Sequence, residues 1–163
     1  MKRSKLIVSL LMTVLLQNSF AQLKKTAYKS FHEKSYAKDD IILCPVIIYY
    51  DARLDERGKD SIKIIADFLI SHPTLIVEVG VYTDQRGNNS YNKKLSEMRA
   101  KCIVDYLNQN FTISYDRMKS FGYGEEFPIY TQGEIDNATG NKMAQEEMYT
   151  KNRRTEIKIL SVK

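Results

Sequence analysis

The amino-acid sequence predicts an α/β (α+β) sandwich, a mixed four-stranded sheet with its helices packed on one side, in the order β-α-β-α-β-β. Three observations predict it. Residues 41–50, 75–81 and 117–123 have the composition of strands, segments with apolar residues at helical spacing separate them, and the chain closes on an alternation of charged and apolar residues over 156–162.

The elements follow in order. Lys2, Arg3 and Lys5 precede an apolar run over residues 6–16 and a small-x-small site at Ser19-Phe20-Ala21, the pattern of a secretory signal peptide over residues 1–21. That run is well short of the roughly 20 residues needed to cross a bilayer, so no transmembrane span is expected in the mature chain. No cysteine closely follows it, so the lipid-attachment signal of a lipoprotein is not expected. Cleavage would leave 142 of the 163 residues, room for one domain, and would remove three cations, taking the net charge from +5 to +2. Lys and Arg are interleaved with acids rather than gathered with aromatics into a stripe, so no nucleic-acid partner is expected.

Residues 22–40 are polar, lack a sustained apolar period and read as a tether into a domain spanning 41–163. Residues 41–50, interrupted only by Cys44 and Pro45, read as a strand buried on both faces. Ile62, Ile65, Ala66 and Leu69 recur at helical spacing and predict a helix over 55–71, stopped at Ser71-His72-Pro73. Residues 75–81 form the second strand. The helical crossover predicts that it runs beside the first strand and parallel to it. After a polar loop over 83–90, Leu95, Met98, Cys102, Val104, Tyr106 and Leu107 mark the apolar side of a helix over 91–108, opposite Lys93, Lys94, Glu97 and Lys101. The third strand covers 117–123. Residues 125–151 are long, polar and glycine-containing, and read as a surface insertion or functional loop with a short helix near 142–149. The last strand, 156–162, should have one wet face. Export would let Cys44 and Cys102 pair, but their apolar surroundings favour two buried free thiols.

Little in the inventory suggests catalysis. His32 and His72 are the only histidines, with no metal-ligand spacing, and the adjacent pairs Glu125-Glu126 and Glu146-Glu147 read as solvated surface. No enzyme activity, metal or cofactor is expected.

The informative stretch is Thr83-Asp84-Gln85-Arg86-Gly87, continuing through Tyr91-Asn92 and Leu95-Ser96 to Arg99-Ala100. Together with Gly122-Tyr123-Gly124-Glu125 and Asn152-Arg153-Arg154-Thr155-Glu156-Ile157, in that order, it resembles the signature of outer-membrane-protein-A-like (OmpA-like) peptidoglycan-binding domains. The resemblance covers roughly residues 41–162 and implies the same element order. It also implies non-covalent binding of the peptidoglycan stem peptide through diaminopimelate, whose side chain ends in an ammonium and a carboxylate. Such a ligand needs a fixed anion and a fixed cation close together, the cation preferably a guanidinium. By resemblance, Asp84 takes the ammonium and Arg99 the carboxylate, with Asn92, Thr83 and Arg153 as further ligand-binding residues. Without the resemblance, an aspartate before a glycine turn reads as bonding its own backbone. Tyr82 stands where many members carry histidine, and the first-strand match is only Tyr49-Tyr50-Asp51. The implied location is the periplasm, associated with the outer membrane. The alternative is an OmpA-like fold that has lost wall binding and engages an envelope protein partner.

Overall fold

The computed structural model describes residues 27–44 and 56–163. Strand β1 (Ile41–Cys44) is followed by α1 (Glu56–Ser71), β2 (Leu75–Tyr82), α2 (Asn89–Phe111), a 3-10 turn (Tyr115–Arg117), β3 (Met118–Gly124), α3 (Gln132–Asn137), α4 (Lys142–Asn152) and β4 (Thr155–Val162). The sheet order is β1-β4-β2-β3: β4 is antiparallel to both neighbours, while β2 and β3, joined through α2, are parallel. Among the described residues, no helix is long and apolar enough to cross a membrane.

Alternation along each strand sends one set of side chains to a core roofed by α1 and α2. Ile42, Val77, Val79, Met118, Ile157 and Ile159 face Ile62, Ile65, Leu69, Ala100, Ile103 and Leu107, all buried. Burying each large aliphatic side chain stabilises the fold by about 1.5–3 kcal/mol.

Glycine sets how closely α2 sits on the sheet. A Cβ at Gly122 would stand 2.1 Å from the Glu97 backbone nitrogen, so helix and strand touch through backbone. The buried Ser96 hydroxyl, which donates to Lys93 O, also accepts the Gly124 N–H at 2.8 Å.

The opposite face is aromatic and charged. Tyr123 lies against Gly80, where a Cβ would meet its ring at 3.1 Å, and stacks on Tyr82 with centroids 4.7 Å apart. The Arg154 guanidinium lies 3.7 Å from the Tyr82 ring centroid and donates to Glu156 at 2.7 Å; Glu156 also accepts from the Tyr28 hydroxyl at 2.8 Å.

Several expectations are corrected. β1 and β2 run in the same direction but are not neighbours, because β4 lies between them. Its alternation, read as one wet face, conceals a central strand: Glu156 is buried because Arg154 and Tyr28 cover and pair it. β1 is not buried on both faces, since Leu43 is 42% exposed. Residues 45–50, including the end of that expected strand, and the Tyr49-Tyr50-Asp51 match lie outside the described residues.

Residues 27–40, read as a tether, pack on the domain: Phe31 and Tyr36 meet Phe68 edge-on, and Lys29 bridges to Ile42. On α2 the buried side is Asn92, Leu95, Ser96, Ala100, Ile103, Val104 and Leu107, whereas Met98 is 42% exposed and Cys102 and Tyr106 are only partly buried. Close approach to Gly122 accompanies the small Ser96 and Ala100 on that face, which a search for bulky apolar residues misses. The polar insertion holds two helices, α3 as well as α4. Cys44 and Cys102 are both free thiols, but only Cys44 is buried as expected; Cys102 is partly exposed.

Candidate functional site

The Thr-Asp pair directly follows β2, at the C-terminal end of that inner strand, and leads into the loop before α2. Asn88 caps α2, its side chain accepting from the Ser90 and Tyr91 N–H groups, and Gly87 turns the loop at φ +102°. Asn92, on the first turn of α2, is buried and donates to Asp84 O, Arg86 O and the Glu125 carboxylate. It therefore holds the loop's backbone in place. Thr83 donates its N–H to Gly124 O at 2.7 Å, and its hydroxyl oxygen is buried without a hydrogen-bond partner.

Asp84 is 6% exposed, and both of its carboxylate oxygens accept hydrogen bonds. Oδ1 takes the Arg86 N–H at 3.0 Å, the local turn expected of an aspartate at this spacing. Oδ2 accepts from Arg86 Nη2 at 2.7 Å and Nε at 3.1 Å, and from Arg153 Nη1. Burial alone would push this carboxyl up, but the hydrogen bonds from Arg86 and Arg153 outweigh it and hold Asp84 below its ordinary value.

The two arginines meet again at Glu146 on α4. Arg86 Nη1 and Arg153 Nη2 each donate to it at 2.9 Å, and the Arg86 guanidinium lies 4.5 Å from the centroid of the Tyr149 ring. Hydrogen bonds from Arg153 first, and then from Arg86, draw the Glu146 carboxyl down. A second clasp fixes the insertion beside the loop: Asn152, fully buried, donates to Gln85 Oε1 and Tyr130 O, while Gln85 donates to Tyr130 O.

Of the residues read from sequence, Thr83, Asp84, Asn92 and Arg153 thus converge on one mouth. Arg153 contacts Asp84 and Glu146. Arg99 stands on α2 seven positions after Asn92, two helical turns along the same side, half-buried, with its Nε shielded from solvent.

The sequence does not single out Arg86, Glu146, Gln85 or Glu125 as site residues. Spacing could have suggested two of them. Arg86 follows Asp84 at the interval of an Asx turn, and Glu146 precedes Arg153 by seven, on one side of a helix. Nothing local joins residue 84 to 153.

The chain as a whole is similar to known proteins. The model of the OmpA family matches residues 51–142. Outer membrane porin F of Pseudomonas aeruginosa is 34% identical over 93 residues, covering 57% of this chain and 25% of that protein. The peptidoglycan-associated lipoprotein of Buchnera aphidicola is 33% identical over 105 residues, covering 64% of this chain and 54% of its own. The chain therefore spans about a quarter to a half of these curated relatives' length. Among solved structures, a putative MotB-like protein from Desulfovibrio vulgaris superposes with a TM-score of 0.60 over 100% of this chain and 97% of its own, at 16% identity, a likeness of fold. With more than half its length matched by the family model, and with the sheet order, the Thr-Asp turn and the Asn-Arg-Arg block in place, the chain belongs to the OmpA family.

Proposed function

We propose that this chain is a non-enzymatic domain of the cell envelope that binds peptidoglycan non-covalently, through the diaminopimelate residue of the stem peptide. Asp84 receives the ligand's ammonium and Arg99 its carboxylate. Asn92 holds the loop, Thr83 offers its unpartnered hydroxyl, and Arg153 steadies Asp84 through Oδ2. The observation that carries the reading is an ionised carboxylate, 6% exposed, kept at the C-terminal end of β2 over the start of α2. An ammonium is the natural partner of such a group. Arg99 fits the second role because helix side chains tilt toward the helix N-terminus, which here is the mouth. The name of the peptidoglycan-associated relative supports the ligand class, and the relatives' names support an outer-membrane or periplasmic location after cleavage of residues 1–21.

The test is sedimentation of residues 22–163 with isolated sacculi. The wild-type chain should pellet with them, and Asp84→Ala and Arg99→Ala should each lose at least about tenfold in affinity, the effect of leaving one charge of a pair unmatched. Sedimentation unaltered by either change would refute the site assignment. No soluble muropeptides should be released.

One observation favours a second reading, that the fold has lost wall binding and serves as a protein-interaction module. Asp84 is already occupied by the chain's own arginines, and the α3–α4 segment is clasped over that edge. A folded domain that ignores sacculi yet retains a defined envelope protein would support this reading.

A further inference from the structure

A carboxylate offers about four lone-pair sites, and Asp84 already accepts four hydrogen bonds: three from Arg86 and one from Arg153. Three of these fall on Oδ2, so a ligand ammonium can reach that oxygen only by displacing one of its donors. The two arginines are not equally held. Arg153 is the less exposed, its side chain at 36% against 51% for Arg86, and its Nη2 is fastened to both Glu146 and Thr150 Oγ1 at the end of α4. Arg86 sits on the loop, and its guanidinium already touches another anion, Nη1 to Glu146 Oε2 at 2.9 Å, beside the face of Tyr149. It can leave Asp84 without entering solvent unpaired.

We propose that Arg86 is an internal stand-in for the ligand's ammonium, and that Glu146 and Tyr149 of α4 receive its guanidinium when ligand binds, so that these three residues set the affinity of the site. The inference rests on the reading of Asp84 as the ammonium site. The exchange is balanced in charge: one cation leaves the Asp84 carboxylate and another takes its place, while the displaced guanidinium keeps a carboxylate and an aromatic face. Arg153 stays throughout as the donor that keeps Asp84 ionised and oriented. Arg86 and Glu146 act here through Asp84 and are positioning residues.

The experiment is calorimetric titration of residues 22–163 with two synthetic peptides. One is L-alanyl-γ-D-glutamyl-meso-diaminopimelate. The other carries 2-aminopimelate in the third position, which retains the distal carboxylate and lacks the distal ammonium. Arg86→Ala should bind the first peptide about two- to fivefold tighter than wild type, the scale of losing one half-exposed competing ion pair. It should bind the second no tighter than wild type does. Glu146→Gln, which removes the receiving carboxylate, should weaken binding of the first peptide, and this weakening should shrink when Arg86 is also alanine. Thermal midpoints of each variant confirm folding. Tightening for both peptides alike would mark Arg86 as a general structural influence and overturn the proposal. So would a wild-type chain that binds the first peptide while Arg86→Ala binds it equally or more weakly; in that case the reading of Asp84 stands. Failure of every variant to bind the first peptide overturns that reading and the proposal with it.

Discussion

Asp84 shows how one buried carboxylate links the site to the stability of the domain. The folded state holds it below its ordinary value of 3.8, because hydrogen bonds from Arg86 and Arg153 outweigh the cost of its burial. A group depressed in this way contributes its full stability above its unfolded value and loses it as pH falls through the lower folded value. Unfolding midpoints measured by circular dichroism from pH 7 to pH 2 should therefore hold until about pH 4 and then fall. In Asp84→Asn the fall below pH 4 should be shallower, because the variant has no such proton to take up; equal slopes in the two proteins would contradict the assignment. Glu146, drawn down by the same two arginines, adds to the acid limb in both proteins and so does not account for the difference.

At the scale of elements, the contact between α2 and β3 governs where the loop over residues 83–88 can stand. The helix backbone rests on Gly122, and Gly124, at φ +57°, brings its own backbone close to Lys93. With this approach Ser96 reaches the Gly124 N–H and Asn92 reaches the Asp84 and Arg86 carbonyls. Gly122→Ala places a methyl 2.1 Å from the Glu97 nitrogen and 2.5 Å from its Cα, neither of which can swing aside. Its loss in urea denaturation should lie at or above the top of the about 1–3 kcal/mol range for overpacking. Gly133 on α3 is the control, because a Cβ there meets nothing within 4 Å. Gly133→Ala should hold or raise stability, by up to about 1 kcal/mol. Similar losses at both positions would show that the helix–strand approach is not what Gly122 protects.

For the whole molecule, the segment before β1 acts as part of the fold. Phe31 and Tyr36 pack on Phe68, Tyr36 meets His72, Tyr28 supplies a hydrogen bond to buried Glu156, and Lys29 donates its N–H to Ile41 O at the sheet edge. A chain shortened to begin at Ile41 should melt at least roughly 5 °C lower than one beginning at Ala27, since each aromatic pair alone contributes about 0.5–1.5 kcal/mol beyond its buried area. Equal melting temperatures would show that these contacts contribute nothing net.

By itself the sequence determined whatever repeats over a few residues. The composition of β2, the period of α1 stopped at Pro73, and the Thr-Asp turn that places Asp84 and Asn92 around the start of α2 are all legible. Each depends on which side of one element is apolar, or on a turn that closes locally. The insertion of β4 between β1 and β2 was decided only in three dimensions, as were the burial of Glu156 beneath Arg154 and Tyr28 and the use of small residues on the contact side of α2. The same is true of the meeting of Asp84 with Arg153, 69 positions away, and of Arg86 with Glu146, 60 positions away. The physical reason is that periodicity reports how exposed a side chain is, whereas strand order and long-range ion pairs depend on which apolar faces close on one another. A charged residue in an alternating strand reads as solvated until the fold supplies its partner.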